Sequence, residues 1–213
     1  MEYEVLKDGE GKITDKKSVF IGAVASVHSE EEALEFIAQK KKQYYDARHN
    51  CFAYVIGDRD EIVRSSDDGE PSGTAGKPML DVILGAHLHN VVVVVTRYFG
   101  GVLLGTGGLV RAYSQATSEG IKAATLVERY YGKPLSLTVD YTLLGKMQYI
   151  LKERDVFISD TVYDANVTIL AYVESESVSA LEKEIINQSG GQAQLQWDDE
   201  CCFGISEGKL ILF

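Results

Sequence analysis

The fold of the first half of the chain is decided by one segment, Val91–Ala112, which reads VVVVVTRYFGGVLLGTGGLVRA. Its continuous apolar run, Val91–Thr96, is typical of a central strand that is buried on both faces. A glycine-rich loop, Gly100–Gly108, follows, and the residues Leu109–Ala124 have helical character. The segment therefore predicts a buried strand that leads through a glycine-rich loop into a helix.

The junction between this strand and this helix is a candidate anion site. Glycines allow backbone N–H groups to face a ligand there, and a helix N-terminus favours negative charge. Arg97 and Arg111 flank the loop and strengthen the case for a phosphate or carboxylate partner. Neither the spacing of a Walker loop nor that of a dinucleotide fingerprint is present. Two alternatives stay open: Gly105–Gly108 binds an anion, or its glycines only provide turn geometry.

A second unusual loop lies upstream, at Ser65–Pro78, and reads SSDDGEPSGTAGKP. Three carboxylates, Asp67, Asp68 and Glu70, precede its glycine, hydroxyl and cationic residues. The composition predicts a surface loop. The two adjacent aspartates have the chemistry to hold a metal ion with substrate phosphates, but acidic pairs in loops more often form turns and caps. We predict no metal and no cofactor.

Ordinary helix and strand patterns surround the two loops. Ser29 and Glu32 have the spacing of a capping box, which places the start of a helix after Ser29. His49 and Cys51 share one face of a predicted strand, and we interpret them as structural because no four-ligand zinc spacing accompanies them. The predicted elements are, in chain order, a strand at Ser18–Ser26, a helix to about Tyr45, a hairpin of Asn50–Ile56 and Glu61–Ser66, a helix at Met79–His87 and a strand at Leu126–Tyr131.

The pattern becomes simpler after Lys133-Pro134, where we predict a domain junction. The elements predicted beyond it are a strand at Leu135–Tyr141, a helix at Leu143–Arg154, strands at Val156–Tyr163 and Asn166–Val173, a helix at Val178–Ser189 and a strand at Gln192–Trp197. This order, βαββαβ, is that of a ferredoxin-like unit. The sequence therefore predicts an α+β protein with two domains, residues 1–132 and 133–213.

The charge of the chain limits its partners. The formal net charge is −11; residues 1–131 carry 15 basic against 19 acidic side chains, and residues 132–213 carry 6 against 13. Phosphate backbones are bound by clustered positive charge, so any contact with nucleic acid is expected from a local patch on the first half. The longest apolar run, Val91–Val95, is far shorter than the ~20 residues that span a bilayer, and Met1–Lys17 lacks the apolar core of a signal peptide. We therefore expect a cytoplasmic protein without membrane contact.

Three blocks of the first half resemble the signature blocks of the IMPACT family, in its bacterial branch. They are RHNCFA at Arg48–Ala53, SDDGEPSGTAGKP at Ser66–Pro78 and the segment Val91–Ala112. The resemblance implies a first α/β domain like domain 2 of the small-subunit ribosomal protein five, followed by a ferredoxin-like βαββαβ domain. Eukaryotic members restrain a kinase that phosphorylates a translation initiation factor. Bacteria lack that pathway, so the resemblance implies only a connection with translation, and it transfers no catalytic residue.

Two classes of function that use these loops are consistent with the sequence, and a third possibility, a purely structural partner module, also stays open. The leading hypothesis is a binding protein that contacts the ribosome, RNA or a translation-related protein through a face formed by Asp67–Lys77 and Arg97–Arg111. The alternative is an enzyme that acts on a phosphorylated or carboxylated small molecule. Gly105–Gly108 would be its anion site, Asp67 or Asp68 its metal ligand or base, and His49 an assisting residue. Both require that the two loops form one surface. The candidate binding residues are His49, Asp67, Asp68, Glu70, Ser72, Thr74, Lys77, Arg97, Tyr98, Gly100, Gly101, Gly105, Gly107, Gly108 and Arg111.

Overall fold

The computed structural model describes all residues, Met1–Phe213, and they form two compact units, Met1–Glu128 and Arg129–Phe213. The first unit contains, in chain order, β1 (Glu2–Lys7), β2 (Gly9–Asp15), β3 (Ser18–Ser26), α1 (Glu30–Gln43), β4 (His49–Ile56), β5 (Ile62–Ser66), α2 (Gly76–Gly85), β6 (Val91–Tyr98) and α3 (Thr106–Ala123). Strand β7 (Thr125–Val139) begins in the first unit and continues into the second. The second unit then contains α4 (Tyr141–Glu153), β8 (Phe157–Tyr163), β9 (Val167–Glu174), α5 (Val178–Ser189), β10 (Gln194–Trp197), β11 (Cys201–Ser206) and β12 (Lys209–Leu212). The predicted two-domain α+β class is confirmed.

The first unit is built on a five-stranded antiparallel sheet with the strand order β2-β3-β6-β4-β5. Val91, Val93 and Val95 of the central strand β6 pack in one core with α2 and α3. Val92 and Val94 pack on the opposite face with α1. Side chains of a strand alternate between its two faces, so helices on both sides explain the uninterrupted apolar run. The predicted strand, buried on both faces, is confirmed.

Helix α3 lies very close to β2 and β3 because glycines face it. A Cβ atom added to Gly22 of β3 would lie 2.2 Å from the carbonyl oxygen of Ala116, and only glycine permits this approach. Gly9 of β2, which pairs with Val24, lies in the same way beside Ala124. Gly22 is nearer than Val24 to the turn between β2 and β3. The earlier residues of α3 are therefore the ones nearer this turn, and α3 begins at that end of the sheet.

Helices α2 and α3 both begin earlier than the sequence predicts. Helix α2 begins at Gly76 rather than Met79, and α3 begins at Thr106 rather than Leu109. Their first turns contain the glycines that we assigned to loops, because glycine is less favourable than alanine inside a helix by roughly 1 kcal/mol. For α2, the missing stabilisation comes from a side chain of the loop that precedes the helix, as described below.

A single strand, β7, replaces the two strands predicted on either side of Lys133-Pro134, so the predicted break between them was wrong. Residues Arg129–Gly132 pair with β11, and Gly132–Val139 pair with β9. These neighbouring strands support the chain continuously across the proline. Strands β1, β2, β11 and β12 were not predicted. The seven residues of β2, GEGKITD, are mostly polar or glycine, so the pairing with β3 rather than local preference makes it a strand.

The second unit has the predicted order βαββαβ, formed by β7, α4, β8, β9, α5 and β10. Strand β7 pairs antiparallel with β9 and β10, and β9 pairs with β8, as a ferredoxin-like unit requires. Side chains of β7, β9, α4 and α5 form its core. The hairpin of β11 and β12 extends the sheet beyond β7. Across both units, no helix is long and apolar enough to cross a membrane.

Candidate functional site

The antiparallel register brings both unusual loops to one end of the first sheet. Strand β5 ends at Ser66, immediately before the segment Asp67–Ala75, which we call the acidic loop. Strand β6 ends at Tyr98, immediately before the segment Phe99–Gly105, which we call the glycine loop. The start of β4 and the turn between β2 and β3 lie at this same end, because His49 pairs with Arg97 and Val19 pairs with Tyr98. We call it the loop end of the sheet, and α3 begins there as well.

Asp67 closes the acidic loop onto helix α2. One carboxylate oxygen accepts hydrogen bonds from the backbone N–H groups of Ala75 and Gly76, at 2.9 and 2.8 Å, and the other accepts from Gly73 at 2.8 Å. Burial by itself would raise the pKa of this carboxyl, but the three N–H donors outweigh it and hold the pKa below its usual value. The N-cap residue Ala75 has no side-chain acceptor of its own. Asp67 therefore caps α2 and acts as the internal anion at the helix N-terminus.

Asp68 connects the acidic loop to α1 and β4. Its carboxylate accepts a hydrogen bond from the backbone N–H of Asn50 at 2.7 Å and forms an ion pair with Lys41 at 2.8 Å. Burial acts to raise the pKa of Asp68, but Lys41 and the Asn50 N–H lower it further than burial raises it. The ring nitrogen Nδ1 of His49 lies 2.9 Å from the backbone oxygen of Asp68. The contacts of both aspartates are thus within the protein.

Glu70 joins the acidic loop to β6 and α3 through a buried ion pair. Its Oε1 atom lies 2.6 Å from Nη1 of Arg97 and accepts a hydrogen bond from the Tyr113 hydroxyl at 2.8 Å. The Glu70 and Arg97 side chains are only 3% and 7% exposed. The Arg97 guanidinium also lies 5.4 Å from the ring centroid of Phe20 and 5.6 Å from that of Phe99. Glu70 therefore ties the acidic loop to the end of β6 that leads into the glycine loop, and it neutralises the positive charge of Arg97 inside the molecule.

Cys51 is a structural residue of this site. It is fully buried, and its thiol donates a hydrogen bond to the backbone oxygen of Asp67 at 3.0 Å. Burial, the largest cause, raises the pKa of the thiol to about 12, so the reactive thiolate is scarce near neutral pH. Its neighbour on the same strand face, His49, is half-buried and faces Asp68. The geometry supports the structural interpretation of this pair.

The remaining candidate residues divide into buried and exposed groups. Thr74 is buried and donates its hydroxyl hydrogen bond to the backbone oxygen of Pro71 at 2.6 Å, and Tyr98 donates to Asp46 at 2.7 Å. A Cβ atom on Gly100 would lie 2.0 Å from the carbonyl carbon of Lys17, so this glycine is required for packing. Gly108 is also buried. The exposed candidates are Ser72, Lys77, Gly101, Gly105, Gly107 and Arg111.

Exposed apolar side chains and unpaired cations lie together at the loop end. Phe99 and Leu103 of the glycine loop are 55% and 82% exposed, and Tyr45, shortly before β4, is 85% exposed. Three exposed cations that form no ion pair accompany them: Lys16 and Lys17 in the turn between β2 and β3, and Arg48 before β4. Lys17 touches the glycine loop through Gly100. We call these six residues the loop-end patch. It is a basic and apolar surface on a chain whose net charge is −11.

Two protein-family models match this chain, one in each of its two units. The Impact N-terminal domain family matches residues 16–121, and a family described as domain of unknown function DUF1949 matches residues 137–192. A Bacillus subtilis protein described as IMPACT family member YvyE is 42% identical over 194 residues, which cover 91% of this chain and 89% of its own length. This chain belongs to the IMPACT family.

Two further similarities extend across both units of this IMPACT family member. The Escherichia coli protein described as IMPACT family member YigZ is 35% identical over 182 residues, covering 84% of this chain and 89% of its own length. A solved structure described as the crystal structure of an hypothetical protein is 32% identical and covers 93% of this chain and 98% of its own, with a TM-score of 0.58. The resemblance seen in the three sequence blocks is confirmed.

Several residues that build the site in this IMPACT family member were not selected from the sequence. Lys41, near the C-terminus of α1, is one of them, and it forms the ion pair with Asp68. Tyr113 lies four residues after Leu109 on the apolar face of α3, and a buried hydroxyl there needs a polar partner. Lys16 and Lys17 lie in a tight turn between two strands. Two adjacent lysines in a turn are the sequence feature that would have indicated a basic surface. All of these residues lie within the part of the chain that the Impact N-terminal domain family matches.

Proposed function

We propose that this protein is a translation-related regulatory protein that binds the ribosome, RNA or a translation factor through the loop-end patch. The observation that carries the proposal is the cluster of Lys16, Lys17 and Arg48 beside the exposed side chains of the glycine loop. Membership of the IMPACT family supplies the connection with translation that the resemblance implies. Among the three kinds of partner, ribosomal RNA has the chemistry that fits this patch best.

The cations of the patch are sufficient to bind a small number of RNA phosphates. Arg111 is exposed in the second turn of α3 and adds a fourth unpaired cation at the loop end. The N-cap residue of α3, Gly105, has no side chain to cap the helix, so the first N–H groups of α3 add partial positive charge. The net charge of −11 opposes broad, nonspecific binding. Four phosphate contacts predict a slope of log affinity against log salt of roughly −3.

The apolar members of the patch fit unpaired bases. Single-stranded loops of RNA present splayed bases that stack on aromatic rings, with roughly 1–3 kcal/mol per stacked base. Phe99 and Tyr45 are exposed aromatic rings beside the cations. The neighbouring Leu103, 82% exposed, is a side chain whose exposure is typical of an interaction surface rather than of packing within the unit.

The catalytic alternative has less support from the geometry. It needs Asp67 or Asp68 as a metal ligand or base, yet Asp67 accepts three backbone hydrogen bonds and Asp68 is held by Lys41 and Asn50. Of the two arginines that flank its anion loop, Arg97 is buried against Glu70, which leaves Arg111 as the accessible one. We therefore propose binding rather than catalysis.

Cosedimentation with purified ribosomes and ribosomal subunits, with and without ribonuclease, tests the proposal. The variant in which Lys16→Gln, Lys17→Gln and Arg48→Gln are combined should bind at least about tenfold more weakly and should show a smaller salt slope, because each lost cation removes roughly one phosphate contact. Arg97 is unsuitable for this test because its replacement would leave Glu70 buried without a partner.

Lys183→Gln, at an exposed position of α5 in the second unit, controls for the loss of a cation outside the patch and should leave binding unchanged. Binding by the triple variant that equals that of the unmodified protein, with the same salt slope, would refute the role of the patch. Loss of ribosome binding only after ribonuclease treatment would assign the partner as RNA. Binding that survives ribonuclease but is lost in the triple variant would assign it as a protein.

A further inference from the structure

The second unit contains a cavity of about 170 Å³ whose walls carry an unusual density of aromatic rings. It lies where the link between α4 and β8 meets β9 and β11. The four rings that line it are those of Tyr130, Phe157, Tyr172 and Phe203. None of them belongs to the first unit or to the loop-end patch.

The strand register explains how residues so far apart in sequence form one aromatic wall. Phe157 of β8 lies directly opposite Tyr172 of β9, and Phe203 of β11 lies directly opposite Tyr130 of β7. The ring centroid of Phe203 is 5.7 Å from that of Tyr130 and 5.4 Å from that of Tyr172. Directly paired residues of adjacent antiparallel strands point to the same face of a sheet, so these rings share one side of it.

The charged groups of the cavity are predominantly negative. Asp155 and Glu174 line it and have no cationic partner, whereas the third charged residue, Arg154, donates from Nε to Glu184 at 2.6 Å. The Arg154 charge is thus matched by a carboxylate of α5. Burial chiefly raises the pKa of the Tyr172 phenol, with smaller contributions from Cys201 and Asp198, so the phenol is uncharged near neutral pH.

We propose that this cavity binds a small organic cation, an ammonium or guanidinium group, between its aromatic wall and the carboxylates of Asp155 and Glu174. The face of an aromatic ring attracts a cation that lies within about 6 Å of its centroid. Carboxylates beside the rings add Coulombic attraction and disfavour anions. Both features are present in one partly open cavity of the size of a small cationic head group.

An open depression beside the cavity indicates how the ligand is oriented. It has a volume of about 480 Å³ and shares Asp155, Val156, Phe157 and Ile205 with the cavity. Lys152 lines only the depression and repels a cationic group there. The charged head of the ligand therefore occupies the cavity, and an uncharged chain attached to it occupies the depression.

Isothermal titration of the full-length protein with choline and with its neutral isostere 3,3-dimethylbutanol tests the proposal. Choline should bind at least about tenfold more tightly than the isostere, since only the cation gains the ring and carboxylate attraction. Agmatine tests the guanidinium group, and the methylamides of Nα-acetyl-lysine and Nα-acetyl-arginine test whether the cation is a side chain of a protein. Binding of any of these cations supports the site. Tighter binding of choline or agmatine identifies the ligand as a small molecule, and tighter binding of the amino-acid methylamides identifies it as a protein side chain.

Matched substitutions on one hairpin localise the binding. Tyr172→Leu and Glu174→Gln should each weaken choline binding by roughly tenfold. Tyr163→Leu and Asp164→Asn, at the opposite end of the β8–β9 hairpin, should leave it unchanged. Glu174 is exposed, so its substitution separates loss of ligand from loss of folding, which thermal unfolding of each variant also reports. Equal affinity for choline and its isostere, unchanged affinity in both cavity variants, or no binding of any cation would overturn the proposal.

Discussion

The two loops at the loop end both contain glycines but have opposite structural roles. The acidic loop turns its three carboxylates inward, where Asp67 caps α2, Asp68 holds α1 and β4, and Glu70 pairs with Arg97. The glycine loop directs Phe99 and Leu103 outward. In the first loop, glycine N–H groups bond to a carboxylate of the same chain. In the second, the N-terminus of α3 has no side-chain cap.

This difference shows that loop composition does not reveal which groups are available to a partner. A carboxylate or guanidinium that is buried and paired is committed to stability, and its removal leaves the other charge uncompensated. Exposed groups without a partner contribute little to folding and remain available for binding. Substitutions in the acidic loop are therefore predicted to lower the stability of the protein. Substitutions in the glycine loop, apart from those at Gly100, are predicted to weaken binding to a partner.

The largest effect is expected for Glu70→Ala. This substitution leaves the guanidinium of Arg97 and the hydroxyl of Tyr113 buried without their acceptor, and it should lower the free energy of unfolding by roughly 3–5 kcal/mol. Urea denaturation at neutral pH measures it. Glu35→Ala, at an exposed position of α1, is the control and should change the free energy by less than about 0.5 kcal/mol. A loss for Glu70→Ala as small as that of the control would remove the distinction between the loops.

The next largest effect is expected within the glycine loop itself. Gly100→Ala places a Cβ atom 2.0 Å from the carbonyl carbon of Lys17, and the required backbone shift should cost about 1–3 kcal/mol. Gly107→Ala meets nothing within 4 Å and should cause no loss of stability. The midpoints of thermal unfolding of the two variants give the comparison. Equal midpoints would mean that Gly100 does not anchor the loop to the turn between β2 and β3.

A smaller effect, with a defined pH dependence, is expected for Asp67→Ala. Loss of the cap of α2 should cost about 1–2 kcal/mol at neutral pH. The pKa of Asp67 is lowered in the folded state, so its stabilisation is fully present above the unfolded pKa of about 3.9 and is lost as the pH falls through the folded pKa. The deficit of Asp67→Ala should therefore shrink in acid, as urea denaturation across a pH series measures. Asp8→Asn, at an exposed position, should show no deficit at any pH.

The smallest effect on stability is expected for Leu103→Ser. The side chain is 82% exposed, so the free energy of unfolding should change by less than about 0.5 kcal/mol. Ribosome cosedimentation, in contrast, should weaken measurably because an exposed contact of the loop-end patch is lost. Leu34→Ser replaces a leucine that is 52% exposed on α1, outside the patch, and as the control it should leave cosedimentation unchanged. A large loss of stability for Leu103→Ser would place this side chain with the acidic loop rather than with a binding surface.

Elements with a strong local pattern were predictable from the sequence. The run Val91–Thr96 indicated a strand buried on both faces, and the capping pair Ser29 and Glu32 indicated the start of α1, where the Glu32 N–H donates to the Ser29 hydroxyl. The sequence reading missed β2 and β11, whose side chains form no clear apolar pattern. Pairing with β3 and β7 makes them strands, and partners distant in sequence are not visible in a local window.

The candidate site, too, was predictable in part from the sequence. Sequence reasoning selected both loops and Glu70, Arg97 and Asp67, but it assigned them to one exposed surface. The registers His49 with Arg97 and Phe52 with Ser66 bring the loops together, as expected. Which side of the protein each charge faces depends on packing of α1, α2 and α3 around them. Lys41 and Tyr113 show this most clearly, since each contributes its essential bond from a different helix.

The sequence by itself determined the two α+β units, the buried central strand, the two special loops and the family. It did so because apolar periodicity, capping pairs and glycine clusters are local properties of the chain. Only the tertiary structure decided that Arg97 is neutralised by Glu70, that Lys16, Lys17 and Arg48 lie exposed and unpaired at the loop end, and that four aromatic rings line a cavity in the second unit. Burial and pairing of a charge depend on groups that are distant in sequence, and these two quantities set whether the charge stabilises the fold or binds a partner.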